Sequence, residues 1–369
     1  MAFGKKNRKK SMNTSEKIVT IGAITGMVIG FICGLGSWDY VWPIGGAGIG
    51  LLLSAVICSV VEERKKKKAK RKREERLAQE RENMDTERLD CIIDYLKGKS
   101  GKTVYRIETQ EGAGGLTDSK FGGYPYWPEG KPYPTAKNGE KLLLLAQINF
   151  GKEQLDDPLL PQKGILQIFT ANDDVVGCEF AYPSPQDGFR VVYHDGTEPS
   201  MTVEEMQAQG IPANIALDKQ DCMFPFAKEW GITFRKDTDY INDCVADYDV
   251  MVAQALREMY GEEMQGKVHQ HFTYTEQNYL AEPFYDGAYG HKMLGYPTFV
   301  QWDPRCTPAE ATGSAAQCTT AHYDVLLLQI DSQGNDIMWG DCGVCNFMIN
   351  SEALRRLDFS DVLYNWDCS

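Results

Sequence analysis

None of the short motifs that announce a catalytic chemistry occurs in this 369-residue chain. There is no H-E-x-x-H, no G-x-S-x-G, no P-loop and no strand-to-helix G-x-G-x-x-G. Their absence removes the usual zinc-protease, serine-hydrolase, nucleotide and dinucleotide readings. The cluster Gly45 to Gly50 lies inside an apolar run, and Asp237 to Asp249 lacks calcium-loop order, so the latter reads as the exposed face of a helix. A second C-x-x-C is also missing. Cys342-Gly343-Val344-Cys345 falls between a Trp-Gly-Asp turn and an expected strand, not at the helix N-terminus a redox thiolate needs. A zinc site there would have to be completed by Cys306, Cys318 or His322. His269 and His271 alternate within an expected strand and share one face, with Glu276 as a third ligand if a metal were held. Strand-face histidines are more commonly plain surface residues, so neither metal nor cofactor is expected. The nine cysteines beyond the apolar runs are expected as reduced thiols.

Charge is what two further stretches lack. Ile18 to Leu35 and Val41 to Val61 hold no Asp, Glu, Lys or Arg, and as helices each is roughly 27 to 31 Å long. Only Gly36-Ser37-Trp38-Asp39-Tyr40 separates them, and basic residues flank the pair on both outer sides. The pattern predicts a basic tail over 1–17 and a two-helix transmembrane hairpin over 18–61 with both termini cytoplasmic. It implies a multi-pass protein of the cell membrane whose soluble domain lies in the cytoplasm. Gly22, Gly26, Gly30 and Gly34 form a small-residue stripe suited to close helix packing in lipid. No A-x-A-like site follows the first run, which argues against a cleaved signal peptide.

Residues 62–85 read as a charged juxtamembrane stalk, with Lys65-Lys66-Lys67-Lys68 and Lys70-Arg71-Lys72-Arg73. Beside a bilayer, such a run is expected to meet anionic lipid headgroups rather than nucleic acid. The asymmetry extends to the whole chain. Residues 1–76 hold 16 Lys+Arg against 6 Asp+Glu, and the rest hold 23 against 46. A basic protein partner is the expectation for so acidic a body.

Composition excludes disorder for most of the chain, since 43% of residues are hydrophobic and 11% aromatic. Residues 86–369 are expected to form an α+β, β-rich soluble domain. Leu89, Ile92, Ile93 and Leu96 recur at helical spacing behind Thr86. Strands are expected at Thr103 to Ile107, Lys141 to Ile148, Gly164 to Thr170, Phe189 to His194, Val268 to Thr275, Asp324 to Ile330 and Cys345 to Ile349. Helices are expected at Val203 to Gln209, Tyr240 to Tyr260 and Glu352 to Leu357. Gly123-Tyr124-Pro125, Gln147 and Phe169 are echoed by Gly295-Tyr296-Pro297, Gln329 and Phe347 at offsets of 172, 182 and 178. The echo predicts an internal duplication about a pseudo-twofold axis, with the long helix in the inserted middle.

Five motifs carry a resemblance. Ser119-Lys120-Phe121-Gly122-Gly123-Tyr124-Pro125-Tyr126-Trp127-Pro128 comes first, followed by Leu144 to Phe150 and His291-Lys292-Met293-Leu294-Gly295-Tyr296-Pro297. Met338-Trp339-Gly340-Asp341 and Asn365-Trp366-Asp367-Cys368 complete the set. In this order they resemble the YwqG-like domain family over roughly residues 100–369. The resemblance implies a compact, β-rich bacterial domain whose biochemical function is not established, and it carries over no catalytic residues. The membrane hairpin departs from the family pattern, as do Cys342 and Cys345.

Candidate binding residues are the aromatic and hydrogen-bonding groups of these motifs: Tyr126, Trp127, Gln147, His291, Gln301, Trp302, Asp303, Trp339 and Asp341. Aromatic side chains with a polar tip bind partners at low entropic cost, and they also build β-cores. The expectation is a membrane-tethered binding or interaction module. The alternatives are an enzyme using Asp303, Asp341 or His291 as acid or base between the two units, and a structural protein that oligomerises.

Overall fold

The computed structural model describes residues 63, 65–112, 114–181, 183–196, 198–217, 223–306, 319–334 and 336–369. The chain divides into two compact units, Met1–Met84 and Asp85–Ser369. Of the first, the described part is a helix through residue 83. Its exposed side chains pair at i,i+4 spacing, as in Lys67–Glu63 at 2.7 Å and Arg71–Glu75 at 3.0 Å. Such surface pairs contribute about 0.3–0.5 kcal/mol each.

The second unit is one ten-stranded sheet. Its centre is β1 (Lys102–Glu111) paired antiparallel along its whole length with β6 (Trp230–Asp239). From β1 the sheet continues through β7 (Lys292–Leu294), β8 (Val325–Asp331), β9 (Val344–Ile349) and β10 (Val362–Asp367). From β6 it continues through β2 (Lys120–Phe121), β3 (Leu143–Asn149), β4 (Ile165–Thr170) and β5 (Phe189–His194). All pairings are antiparallel. The two wings curl toward each other until the edges meet. The Phe189 and Tyr364 rings lie 5.1 Å apart, and the Tyr364 N–H donates to the Pro183 carbonyl at 2.9 Å. The result is a nearly closed, barrel-like sheet whose interior holds Phe121, Leu145, Ile168, Leu327, Phe347 and their neighbours.

Helix α1 (Thr86–Ser100) is capped by the Asp85 carboxylate and buries Leu89, Ile92, Ile93 and Leu96. It packs on α3 (Asp247–Tyr260) and α5 (Tyr274–Ala288). A capping box of Thr202 and Glu205 opens the short α2 (Val203–Ala208). Two further short helices, α4 (Val268–His271) and α6 (Ser351–Arg355), complete the set used below.

Several expectations are corrected. The predicted 1–17 tail and 18–61 hairpin lie outside the described residues. Among the described residues no helix is long and apolar enough to cross a membrane. The two-span hairpin and the multi-pass membrane location are therefore not supported by the described residues. In place of the expected α+β domain of two separate units with a helix inserted between them, there is a single, nearly closed ten-stranded antiparallel sheet. In it β1 lies against β7 and β6 against β2, so each wing is seated on a strand from the other half of the chain.

Val268 to Thr275 is not a strand but α4 and the start of α5, so His269 and His271 do not share a strand face. The Thr273/Glu276 capping box outweighs the short apolar alternation. The helix expected from Tyr240 starts at Asp247, and Asp237 to Asp239 belong to β6.

Candidate functional site

Each Gly-Tyr-Pro element sits at a turn where a side chain has no room. Gly123 and Gly295 have φ of 74° and 70°. A Cβ there would come within 2.1 Å of Glu229 Oε1 and 2.4 Å of Asp239 Oδ2 respectively. These carboxylates hold buried lysines: Lys120 Nζ is 2.9 Å from Glu229, and Lys292 Nζ is 3.0 Å from Asp239. Lys292 is fully buried, and desolvation lowers its pKa to about 8 against the pull of Asp239. Asp239 also receives Arg106 at 3.2 Å and the Tyr296 N–H at 3.0 Å.

The two glutamines act alike. Gln147 Oε1 accepts the Tyr126 N–H at 2.8 Å, while its Nε2 donates to the carbonyls of Leu116 and Asp118, both at 2.8 Å. Gln329 Oε1 accepts the Thr298 N–H at 2.9 Å, and its Nε2 donates to the carbonyls of Ala288 and Gly290 at 3.2 and 2.8 Å. A buried amide with every group satisfied fixes the loop beside it.

The remaining sequence candidates separate by burial. Tyr126 and Trp127 are 2% and 3% exposed, and Trp127 packs edge-on against Tyr133, Phe169 and His194. Trp339 is 1% exposed and lies 6.0 Å from the Trp366 ring. His291 is held at both nitrogens: Nε2 bonds Gln333 Oε1 at 2.8 Å, and Nδ1 accepts the Asp331 N–H at 3.0 Å. Burial pushes its pKa down. Asp303 forms a buried pair with Arg305 at 2.7 Å and also accepts the Ala246 N–H at 3.2 Å.

Gln301, Trp302 and Asp341 are open to solvent, Trp302 at 53%. Gln301 donates from its N–H to Asp367 at 2.9 Å and from Nε2 to the Cys368 carbonyl at 2.8 Å. Cys342 and Cys345 are free thiols, the first exposed and the second buried with its thiol well above the usual range through desolvation. Cys306, by contrast, is disulfide-bonded, which corrects the expectation of thiols throughout. No group of three or more His, Cys, Asp or Glu suited to a metal ion occurs among the described residues.

A cleft opens beside the second Gly-Tyr-Pro element. Its two lobes, of about 250 and 410 Å³, share Lys102, Gly295, Asp324 and Leu326. Tyr296, Asp247 and Arg305 line the first lobe, and Asp157, Ser351 and Arg355 the second. Lys102, the first residue of β1, carries its ammonium 4.2 Å from the centre of the Tyr296 ring. Solvent reaches the side chain, yet enough protein surrounds it to lower its pKa by desolvation, with Arg305 adding to the effect against Asp247, Asp324 and Asp239. Asp324 accepts the Ser351 N–H at 2.7 Å, so one carboxylate both seats α6 and faces the cleft. Sequence reasoning missed Lys102, Asp247, Asp324 and Arg355, which come from separate segments that only the sheet topology unites. The nearest signal was Gly295-Tyr296-Pro297 itself.

A curled antiparallel sheet with a charged cleft at a Gly-Tyr-Pro turn defines a small β-domain rather than a recognised catalytic class. The chain belongs to the family described as Domain of unknown function (DUF1963), whose sequence model matches residues 119–368. That membership is consistent with the YwqG-like motifs. No curated protein matches the chain.

Proposed function

We propose that the domain acts by binding a basic polypeptide segment at the cleft beside Gly295-Tyr296-Pro297, and not by catalysis. The observation that carries this reading is the lining of the cleft: Asp157, Asp247 and Asp324 surround an aromatic floor at Tyr296. Arg305 is already neutralised by Asp303, and Lys102 and Arg355 are left to donate to main-chain carbonyls of the ligand. The side chains best suited to move protons support the same reading, since His291 is tied at both nitrogens and Asp303 is locked to Arg305. The excess of 46 acidic over 23 basic residues beyond residue 76 favours a partner of opposite sign.

The test is fluorescence anisotropy with labelled lysine/arginine-rich, neutral and acidic peptides. The basic peptide binds best and loses affinity as salt rises. The Asp247→Asn, Asp324→Asn double variant weakens it, while the amide oxygen introduced at position 324 can still accept the Ser351 N–H. A preference for the acidic peptide, or an affinity unchanged in the double variant, refutes the assignment.

A further inference from the structure

The central ribbon of the sheet is longer than the strands that flank it. β1 and β6 pair from end to end, yet β2 pairs with β6 only at Trp230 and Gly231. One more bond follows, from the Ile232 N–H to the Ser119 carbonyl at 3.2 Å, and there the first wing turns away. The alternation of an antiparallel ladder fixes what lies beyond. The Ile232 amide points away from β1, so the amides of Phe234 and Lys236 point the same way. Ile107, opposite Phe234, likewise turns its N–H outward, to the His291 carbonyl at 2.9 Å.

Among the described residues the Phe234 and Lys236 amides have no partner, and that of Thr238 has the Asp237 carboxylate at 2.8 Å. Arg235 to Thr238 are exposed. A cavity of about 580 Å³ opens at the start of this stretch, lined by Thr233 of β6 and by Asp118 and Glu153 of the departing wing. β6 is thus an open edge in the middle of the sheet, whereas the outermost strands close on each other.

An unpaired edge is a template for another strand, and the order of charges along this one selects which. For an antiparallel strand of the same sequence, the registers that meet amide to amide within residues 234–238 are centred on Arg235, Lys236 or Asp237. The first sets Arg235 against its own copy and the third sets Asp237 against its own, and both repel. Centred on Lys236, Arg235 of each strand faces Asp237 of the other, at the non-hydrogen-bonded positions where side chains approach most closely. Within one strand the two already meet, Arg235 Nη1 lying 3.1 Å from Asp237. Turning Asp237 to the facing Arg235 frees the Thr238 N–H for the Phe234 carbonyl opposite. Lys236 meets its own copy at the axis, but its ammonium is drawn back to the Asp156 carbonyl at 2.9 Å.

We infer that this edge docks a second copy of the chain, adding β6 to β6 antiparallel about a twofold axis at Lys236. The contact runs only from Thr233 to Thr238 on each side, so the pair forms reversibly and weakens as salt rises. It is independent of the binding reading above, since no residue of β6 lines that cleft.

The experiment is sedimentation velocity of the full-length protein over a concentration series at low and high salt, with circular dichroism to check that each variant is folded. A monomer–dimer equilibrium is expected. Arg235→Asp sets like charges opposite each other twice per dimer and weakens association by about tenfold, as does Asp237→Arg. An equimolar mixture of the two variants restores it, because every Asp then faces an Arg. Lys236→Pro removes the central outward N–H, which β1 does not use, so the fold is kept and the dimer is lost. Should one variant prove unfolded, the others carry the test. A synthetic peptide of residues 230–239 competes with the dimer, and a neutral threonine–valine peptide of equal length does not. A chain that stays monomeric, association unchanged in the folded variants, a mixture no stronger than its components, or equal competition by the neutral peptide overturns the second copy as the occupant.

Discussion

Gln147 has no polar atom left over. Its oxygen also accepts from Gln167 Nε2 at 2.8 Å, so a non-polar replacement strands a backbone N–H and two carbonyls at once and takes one partner from the Gln167 amide. Gln147→Leu is therefore expected to cost about 2–4 kcal/mol in urea unfolding, and Gln329→Leu a similar amount. His194 supplies the pH dependence. Burial lowers its pKa from 6.5 to about 4, while Nε2 bonds Gln167 Oε1 at 3.1 Å. Above pH 6.5 the ring is neutral in both folded and unfolded chains, so it adds no slope there. Below that value the unfolded chain takes up a proton that the folded one refuses until about pH 4, and stability falls through this window. Chemical denaturation from about pH 7 to 4 should show a shallower decline for His194→Phe than for the parent, whatever the offset between them at neutral pH. An unchanged slope would mean that His194 is not the buried group responsible. Asp239 is the more dangerous residue to disturb. Asp239→Ala leaves Lys292 and Arg106 without their shared carboxylate, a loss of about 3–5 kcal/mol, whereas Lys292→Met leaves Asp239 still served by Arg106 and the Tyr296 N–H.

Among the elements, those made of continuous apolar residues were legible from the chain. Phe189–His194 matches its expected bounds, and β3, β4, β8 and β9 fall within about two residues of theirs. The central β6 was not legible, because Arg235 to Thr238 face solvent and leave no hydrophobic run. β2 and β7, of two and three residues, are too short for any periodicity. Helix α6 starts at Ser351, one residue before the expected Glu352, and is capped by the Asn350 side chain. Of the cleft, only the Gly-Tyr-Pro turn was visible in advance, since Lys102 and Tyr296 meet through the β1–β7 pairing and not through any local pattern. The start of α5 offers a check at this scale. Thr273 Oγ1 receives the Glu276 N–H while Glu276 receives the Thr273 N–H, so Thr273→Ala is expected to lower stability by about 1 kcal/mol and Thr273→Ser to restore most of it.

At the scale of the molecule, the family match begins at Ser119, yet the sheet's middle strand, β1, lies before it. A chain starting at Ser119 would lose the partner of β6 along ten residue pairs and the seat of β7. Truncation there is expected to abolish cooperative unfolding, whereas truncation at Thr86 keeps α1 and β1 and should preserve a single transition by circular dichroism. The exchange of central strands also has a consequence for the order of events during synthesis. β1 emerges from the ribosome early but meets β6 and β7 only after residues 230–239 and 292–294 have followed. While residues 112–229 are being made it is an exposed edge with a full row of unpaired amides, and the first wing, β2 to β5, waits for β6 before it has an inner neighbour. The nascent chain therefore passes through a long vulnerable interval, and its dependence on chaperones should fall off sharply once synthesis has passed residue 294.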